Sequence, residues 1–204
     1  SVAASASTQA NPKVVGFAVS DSSSNVAQGL VGFSNDTKLL SISLTDNQPM
    51  SISVSQYMYG TRALMALTGD YLFSLSGVPV SAQSGLPFPA AGWQGNAHVS
   101  DFSISDTAAN VASGLDALMA DTKLSTINLT DSGTPVLSIT ATQQKNDATV
   151  INKIVSKFTL LVDGRLLINQ GANTASASIG LNAPNLMFIG TPNGLTLGEA
   201  ASTI

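Results

Sequence analysis

The chain of 204 residues contains no cysteine, carries a formal net charge of -4, and only 10% of its residues are charged. Disulfides, thiolate metal sites and cysteine nucleophiles are therefore excluded, and eight scattered basic residues leave no cationic surface for a nucleic-acid duplex. The apolar share is 44% with only 5% aromatic, and small residues fill much of the remainder, which suits an exported, repetitive, structural protein better than a cytosolic enzyme. No run approaches the ~18 consecutive apolar residues of a membrane-spanning helix. A chain of this size can bury a core without a metal or disulfide staple.

Residues 1–12 have neither a basic region nor an apolar run and read as a flexible, small-residue start of a mature chain. Val14, Phe17 and Val19 then open a short strand, and Asp21 is placed to cap the helix that follows. The helix carries Val26, Leu30 and Phe33 at i, i+4, i+7, one apolar stripe. Leu40–Leu44 and Met50–Val54 alternate as strands around the turn sequence Thr45-Asp-Asn-Gln-Pro49, which predicts a hairpin. A second helix uses Ala63, Leu64 and Leu67, and Tyr71–Leu75 closes the unit as a last strand.

The pattern then recurs. Val19-Ser-Asp through Gly29-Leu30 matches Ile104-Ser-Asp through Gly114-Leu115 at an offset of 85, and Gln56 and Gly77 match Gln143 and Gly164 at 87. Self-similarity on this scale marks two copies of one folding unit of about 65 residues. The second copy has Val99, Phe102 and Ile104 in its first strand, Asp106 as cap, and Val111, Leu115 and Leu118 on its helix stripe. The implied organisation is unit one at 13–77, a Pro/Gly-rich linker at 78–97, unit two at 98–164 and a β-rich extension at 165–204. The order strand–helix–strand–strand–helix–strand predicts an α+β fold of two tandem split βαβ units, with helices on one face of antiparallel sheets.

Catalytic and metal constellations do not emerge. His98 is the only histidine and Glu199 the only glutamate. The recurrent aspartates 21, 36, 46, 106, 121 and 131 are single, and no calcium-loop, nucleophile-elbow or phosphate-loop spacing is present. Helix capping and turn formation already account for aspartate at those positions. No cofactor, metal or catalytic residue is expected. The linker holds Phe88 and Trp93, with His98 beside it, and these three are the candidates for contact with a small apolar ligand or cofactor between the units. Alternatively, Trp93 plugs the seam between them. The extension from Arg165 has strand-like stretches such as Leu166–Ile168 and Leu186–Ile189 and almost no charge, so it pairs within its own chain or adds strands to a neighbour.

Asp106-Thr-Ala-Ala-Asn-Val-Ala-Ser-Gly-Leu-Asp-Ala-Leu118, with Ile127-Asn-Leu-Thr-Asp131 and Pro135-Val-Leu-Ser-Ile-Thr140, resembles a repeat found in tandem in large secreted or surface-attached bacterial proteins. Adhesin-like chains and type I secretion substrates are among them. Unit one matches less closely, with Ser22-Ser-Ser24 and Val31-Gly-Phe33 at the variable points. The resemblance implies a bacterial, secreted or cell-surface structural module rather than an enzyme. It implies copies of itself or neighbouring surface proteins as partners, with self-assembly through the β-rich extension. The alternative is a secreted binder of a small apolar ligand in the cleft between the units.

Overall fold

The computed structural model describes residues 7–80, 93–168 and 186–188. In chain order, unit one contains β1 (Phe17–Asp21), α1 (Ser23–Ser34), β2 (Leu39–Leu44), β3 (Met50–Ser53), α2 (Val54–Tyr59), α3 (Thr61–Met65), β4 (Leu67–Thr68) and β5 (Phe73–Val78). Unit two contains β6 (Val99–Asp106), α4 (Ala108–Leu118), β7 (Leu124–Leu129), β8 (Val136–Ile139), α5 (Ala141–Asn146), α6 (Ala148–Ile151) and β9 (Thr159–Val162). The extension adds β10 (Arg165–Ile168) and β11 (Leu186–Phe188). The fold is α+β.

Three sheets form among the described residues, ordered β1-β2-β4, β3-β5-β6-β7 and β8-β9-β10-β11. The antiparallel split βαβ arrangement is not what the strands adopt. Among the described residues every strand pair is parallel except β9 with β10. The cause lies in the connections. A parallel pair needs a crossover of a dozen or more residues, and α1 supplies one between β1 and β2, as α4 does between β6 and β7. The turn at 45–49 does not fold β3 back onto β2. It carries the chain from the first sheet to the second, so the expected hairpin is absent. Helices α2 and α3 then return the chain, placing β4 beside β2 (Ile42 opposite Leu67) and β5 beside β3 (Met50 opposite Phe73). The second helix begins directly after β3, earlier than its apolar residues suggest, and Leu67 belongs to β4 rather than to that helix.

Unit two repeats this path. β7 lies beside β6, Ile154 bridges to Ile127 where β4 would meet β2, and β9 lies beside β8. β6 also pairs with β5, so the sheet that closes unit one is the sheet that opens unit two. In the third sheet, β10 and β11 fill the places next to β9 that β6 and β7 fill next to β5. A two-residue turn at Asp163-Gly164, with φ of 50° and 74°, makes that β9–β10 hairpin possible. The described part of the extension thus pairs within its own chain.

The stripes read from the sequence face the core. Val26, Leu30, Phe33, Val111, Leu115 and Leu118 are each at most 2% exposed. The abundance of serine and threonine also acquires a structural role. Hydroxyls on one strand bond a carbonyl of the strand before it: Ser43 to Val19 (3.5 Å), Thr68 to Ile42 (3.2 Å), Ser100 to Phe73 (3.2 Å) and Ser125 to Phe102 (2.8 Å). Each hydroxyl thereby adds a side-chain bond to the backbone ladder that joins neighbouring strands.

Candidate functional site

Each long helix starts at a polar clasp. The N-caps are Ser22 and Thr107, whose hydroxyls accept from the N–H groups of Asn25 and Asn110 at 3.3 Å. Asp21 and Asp106, expected as the caps, sit one residue earlier at the strand ends. From there Oδ1 accepts the cap residue's N–H (2.9 and 2.8 Å) and the asparagine side-chain amide (2.7 Å in both). A serine or threonine in extended conformation takes the cap geometry, leaving the aspartate to brace it. The Asn25 amide, followed by the Ser22 N–H, holds the Asp21 carboxyl below its ordinary range.

A second carboxylate arrives from the inter-sheet turn. Asp46 accepts the Ser23 N–H at 3.1 Å, and Asp131 the Ala108 N–H at 2.7 Å. Partial desolvation works against the Asp46 charge, but hydrogen bonds from Ser23 and Gln48 outweigh it and lower the pKa. The short helices begin with reciprocal caps, Ser53 with Gln56 and Thr140 with Gln143. Both glutamines extend further, donating to the carbonyls of Ala27 (3.0 Å) and Ala112 (2.9 Å) on the neighbouring long helix. This signal was readable in the S-x-x-Q and T-x-x-Q spacings.

The seam between the units is where side chains converge from different elements. Trp93 is 2% exposed and meets Tyr57 edge-on, with ring centroids 4.9 Å apart; Tyr57 also packs on Phe73 at 5.6 Å. Trp93 therefore fills this seam, with its edge-on Tyr57 contact bridging to unit one. His98 is exposed, and its ring stacks on Tyr71 at 4.2 Å and 5°. Its Nδ1 lies 3.1 Å from the Tyr71 carbonyl oxygen, a contact that requires the Nδ1–H form. Phe88, the third candidate, lies outside the described residues.

Polar groups cross the same seam. The Phe73 N–H donates to the His98 carbonyl (2.8 Å), and Ser74 Oγ donates to Asp101 Oδ1 (2.5 Å). The Val80 N–H donates to Asp106 Oδ2 (3.0 Å). Asp106 thus joins its own helix start to the chain just after unit one's last strand. Just ahead of each first strand lies another matched pair: Gln9 Oε1 accepts the Lys38 N–H and Gln94 Oε1 the Lys123 N–H, both at 3.1 Å. Lys38 and Lys123 in turn donate from Nζ to the carbonyls of Asn11 and Asn96, both at 2.7 Å. The segments at 7–11 and 93–96 are therefore tied into their units. Their equivalence is faint in the sequence, because Thr8-Gln-Ala-Asn11 and Trp93-Gln-Gly-Asn96 share only two residues.

Among the described residues no group of three histidine, aspartate or glutamate side chains could hold a metal ion, and no helix is long and apolar enough to cross a membrane. What the arrangement can do is bond strand to strand: the polar groups at the seam are occupied in joining one unit to the next. No family model, curated protein or solved structure matches the chain.

Proposed function

We propose that the chain is a structural interaction module of a secreted or surface-associated bacterial protein, built to join units end to end and to associate with copies of itself through its β-rich extension. The observation that carries this reading is the β5–β6 pairing, which merges two units into one four-stranded parallel sheet. A seam made of backbone bonds is a joint that further units of the same kind can use. The resemblance of Asp106–Leu118 to repeats in large surface proteins supports the same reading, as do the hydroxyl bonds from strand to strand. Among the described residues β11 stands at the outer edge of its sheet, where a neighbour's strand can add.

The test uses the full chain in sedimentation velocity and native mass spectrometry. Species of several copies, with no additional bound mass, are expected. Ending the chain at Ile168 keeps β10 over β9 and removes β11; it should abolish association while circular dichroism stays unchanged. A monomer that carries a co-purifying small molecule would overturn the reading in favour of a ligand binder.

A further inference from the structure

The three sheets are not equally complete. The second has the order β3-β5-β6-β7, and the third has β8-β9-β10-β11. In each, two strands of one unit are followed by two strands of whatever comes next. Among the described residues the first sheet begins at β1, with no strand on its outer side. By position, β1 is the counterpart of β6, and the missing neighbour is the counterpart of β5.

The side chains report the same vacancy. Phe102, Ile104 and Asp106 are 0%, 1% and 4% exposed, whereas their equivalents Phe17, Val19 and Asp21 are only half-buried. Asp106 Oδ2 accepts the Val80 N–H from the preceding unit; Asp21 uses only Oδ1 among the described residues. The backbone agrees. Phe17 donates to Lys38 and Asp21 accepts from Thr45, so Phe17, Val19 and Asp21 direct their backbone groups toward β2. By the alternation of a parallel ladder, Ala18 and Ser20 direct theirs to the open side. Their equivalents Ser103 and Ser105 face β5. Beside this edge, Val15 is 93% exposed.

We infer that the outer edge of β1 is a docking seat for one parallel strand of β5-like chemistry, the closing strand of a further unit of this type placed ahead of the first. The occupant alternates large apolar residues with serine, as Phe73-Ser-Leu-Ser does, and ends in a backbone N–H that reaches Asp21 Oδ2. The β5–β6 joint is its template. The inference rests on the structural reading above but concerns the opposite end of the molecule from the extension.

The probe is a labelled peptide of residues 71–80, Tyr-Leu-Phe-Ser-Leu-Ser-Gly-Val-Pro-Val, added to the full chain, with a scrambled peptide as control. Saturable binding in fluorescence anisotropy is expected, with amide exchange at Ala18 and Ser20 slowed by about tenfold or more. Ala18→Pro and Ser20→Pro each remove an outward N–H without touching the β2 ladder, and each should abolish binding while the far-ultraviolet spectrum stays unchanged. Asp21→Ala should weaken binding by about threefold to tenfold, the value of one hydrogen bond. Absence of binding, or binding that both proline variants retain, would overturn the inference. If the chain still self-associates in sedimentation velocity, that failure leaves the structural reading standing. If association is missing as well, both fail.

Discussion

β1 and β6 are the same strand in two settings. Both end in an aspartate that braces a helix start, both pair in parallel with the strand that follows, and both alternate apolar and small residues. β6 is nonetheless buried on its far side by β5, while β1 has no strand there among the described residues. The difference shows that burial here is a property of the neighbour rather than of the strand's own sequence.

The largest expected effects probe this asymmetry directly. Phe102→Ala should destabilise the chain by about 3–5 kcal/mol, the cost of emptying a fully buried aromatic site. Phe17→Ala should cost less than half of that, because water already reaches the ring. Urea titrations with both variants decide the matter, and equal losses would mean that β1 is covered as well as β6. The helix stripes serve as the control. Leu30→Ala and Leu115→Ala should each cost about 2–5 kcal/mol, with no consistent difference between units, since both side chains are fully buried.

A smaller effect is expected at the two braces. Asp106→Ala removes the acceptor of three hydrogen bonds, one of which comes from the other unit. Its loss should cost about 1–3 kcal/mol by leaving buried N–H groups unpaired. Asp21→Ala removes only local bonds and should cost less, with a melting temperature closer to the parent's. If Asp21→Ala proves the more damaging, the seam bond from Val80 carries no weight.

How much of this was legible in the chain depends on the range of the interaction. The stripe Val26-Leu30-Phe33 and its copy were readable because a helix face is set by neighbours three and four residues away. Strand positions were readable from alternation for the same reason. Partner choice was not, since alternation at Met50–Ser53 is the same whether the strand pairs with β2 or β5, in either direction. Thr45–Pro49 has the composition of a hairpin turn and serves instead as a step between sheets. A better signal was the recurrence of Leu-Ser-Ile-Ser, Met-Ser-Ile-Ser and Phe-Ser-Leu-Ser along unit one, which places like strands on successive passes of the chain. The aspartate caps were misplaced by one residue because Asp21-Ser22 and Asp106-Thr107 each offer two good capping side chains in a row. Trp93 was readable only as a pair of alternatives, because its partner Tyr57 is remote in sequence.

The smallest expected effect lies where the units differ outright. The junction of the two short helices is Gly60 in unit one and Asp147 in unit two. Asp147 is buried, its Oδ2 has no hydrogen-bond partner among the described residues, and Asp116 stands beside it. Burial first, and the neighbouring Asp116 second, push the Asp147 pKa above its ordinary value. The folded state therefore holds a proton that the unfolded chain releases between the unfolded and folded pKa values. In that window stability falls as pH rises, because the folded state binds more protons. The contribution is most favourable below the unfolded pKa and is lost once pH has passed the folded one. Asp121, raised by burial and partly offset by Lys153, acts in the same direction. Asp21 and Asp46, whose values are lowered, act in the opposite one and lose their stabilisation as pH falls. A plain pH titration of the parent mixes all four. Asp147→Asn isolates one: it should raise the urea midpoint at pH 7 and leave it nearly unchanged below the unfolded carboxylate range, so that the difference from the parent grows across the window between them. A midpoint that drops at pH 7 would show that the Asp147 charge is stabilised in place, and the two junctions would then differ in shape alone.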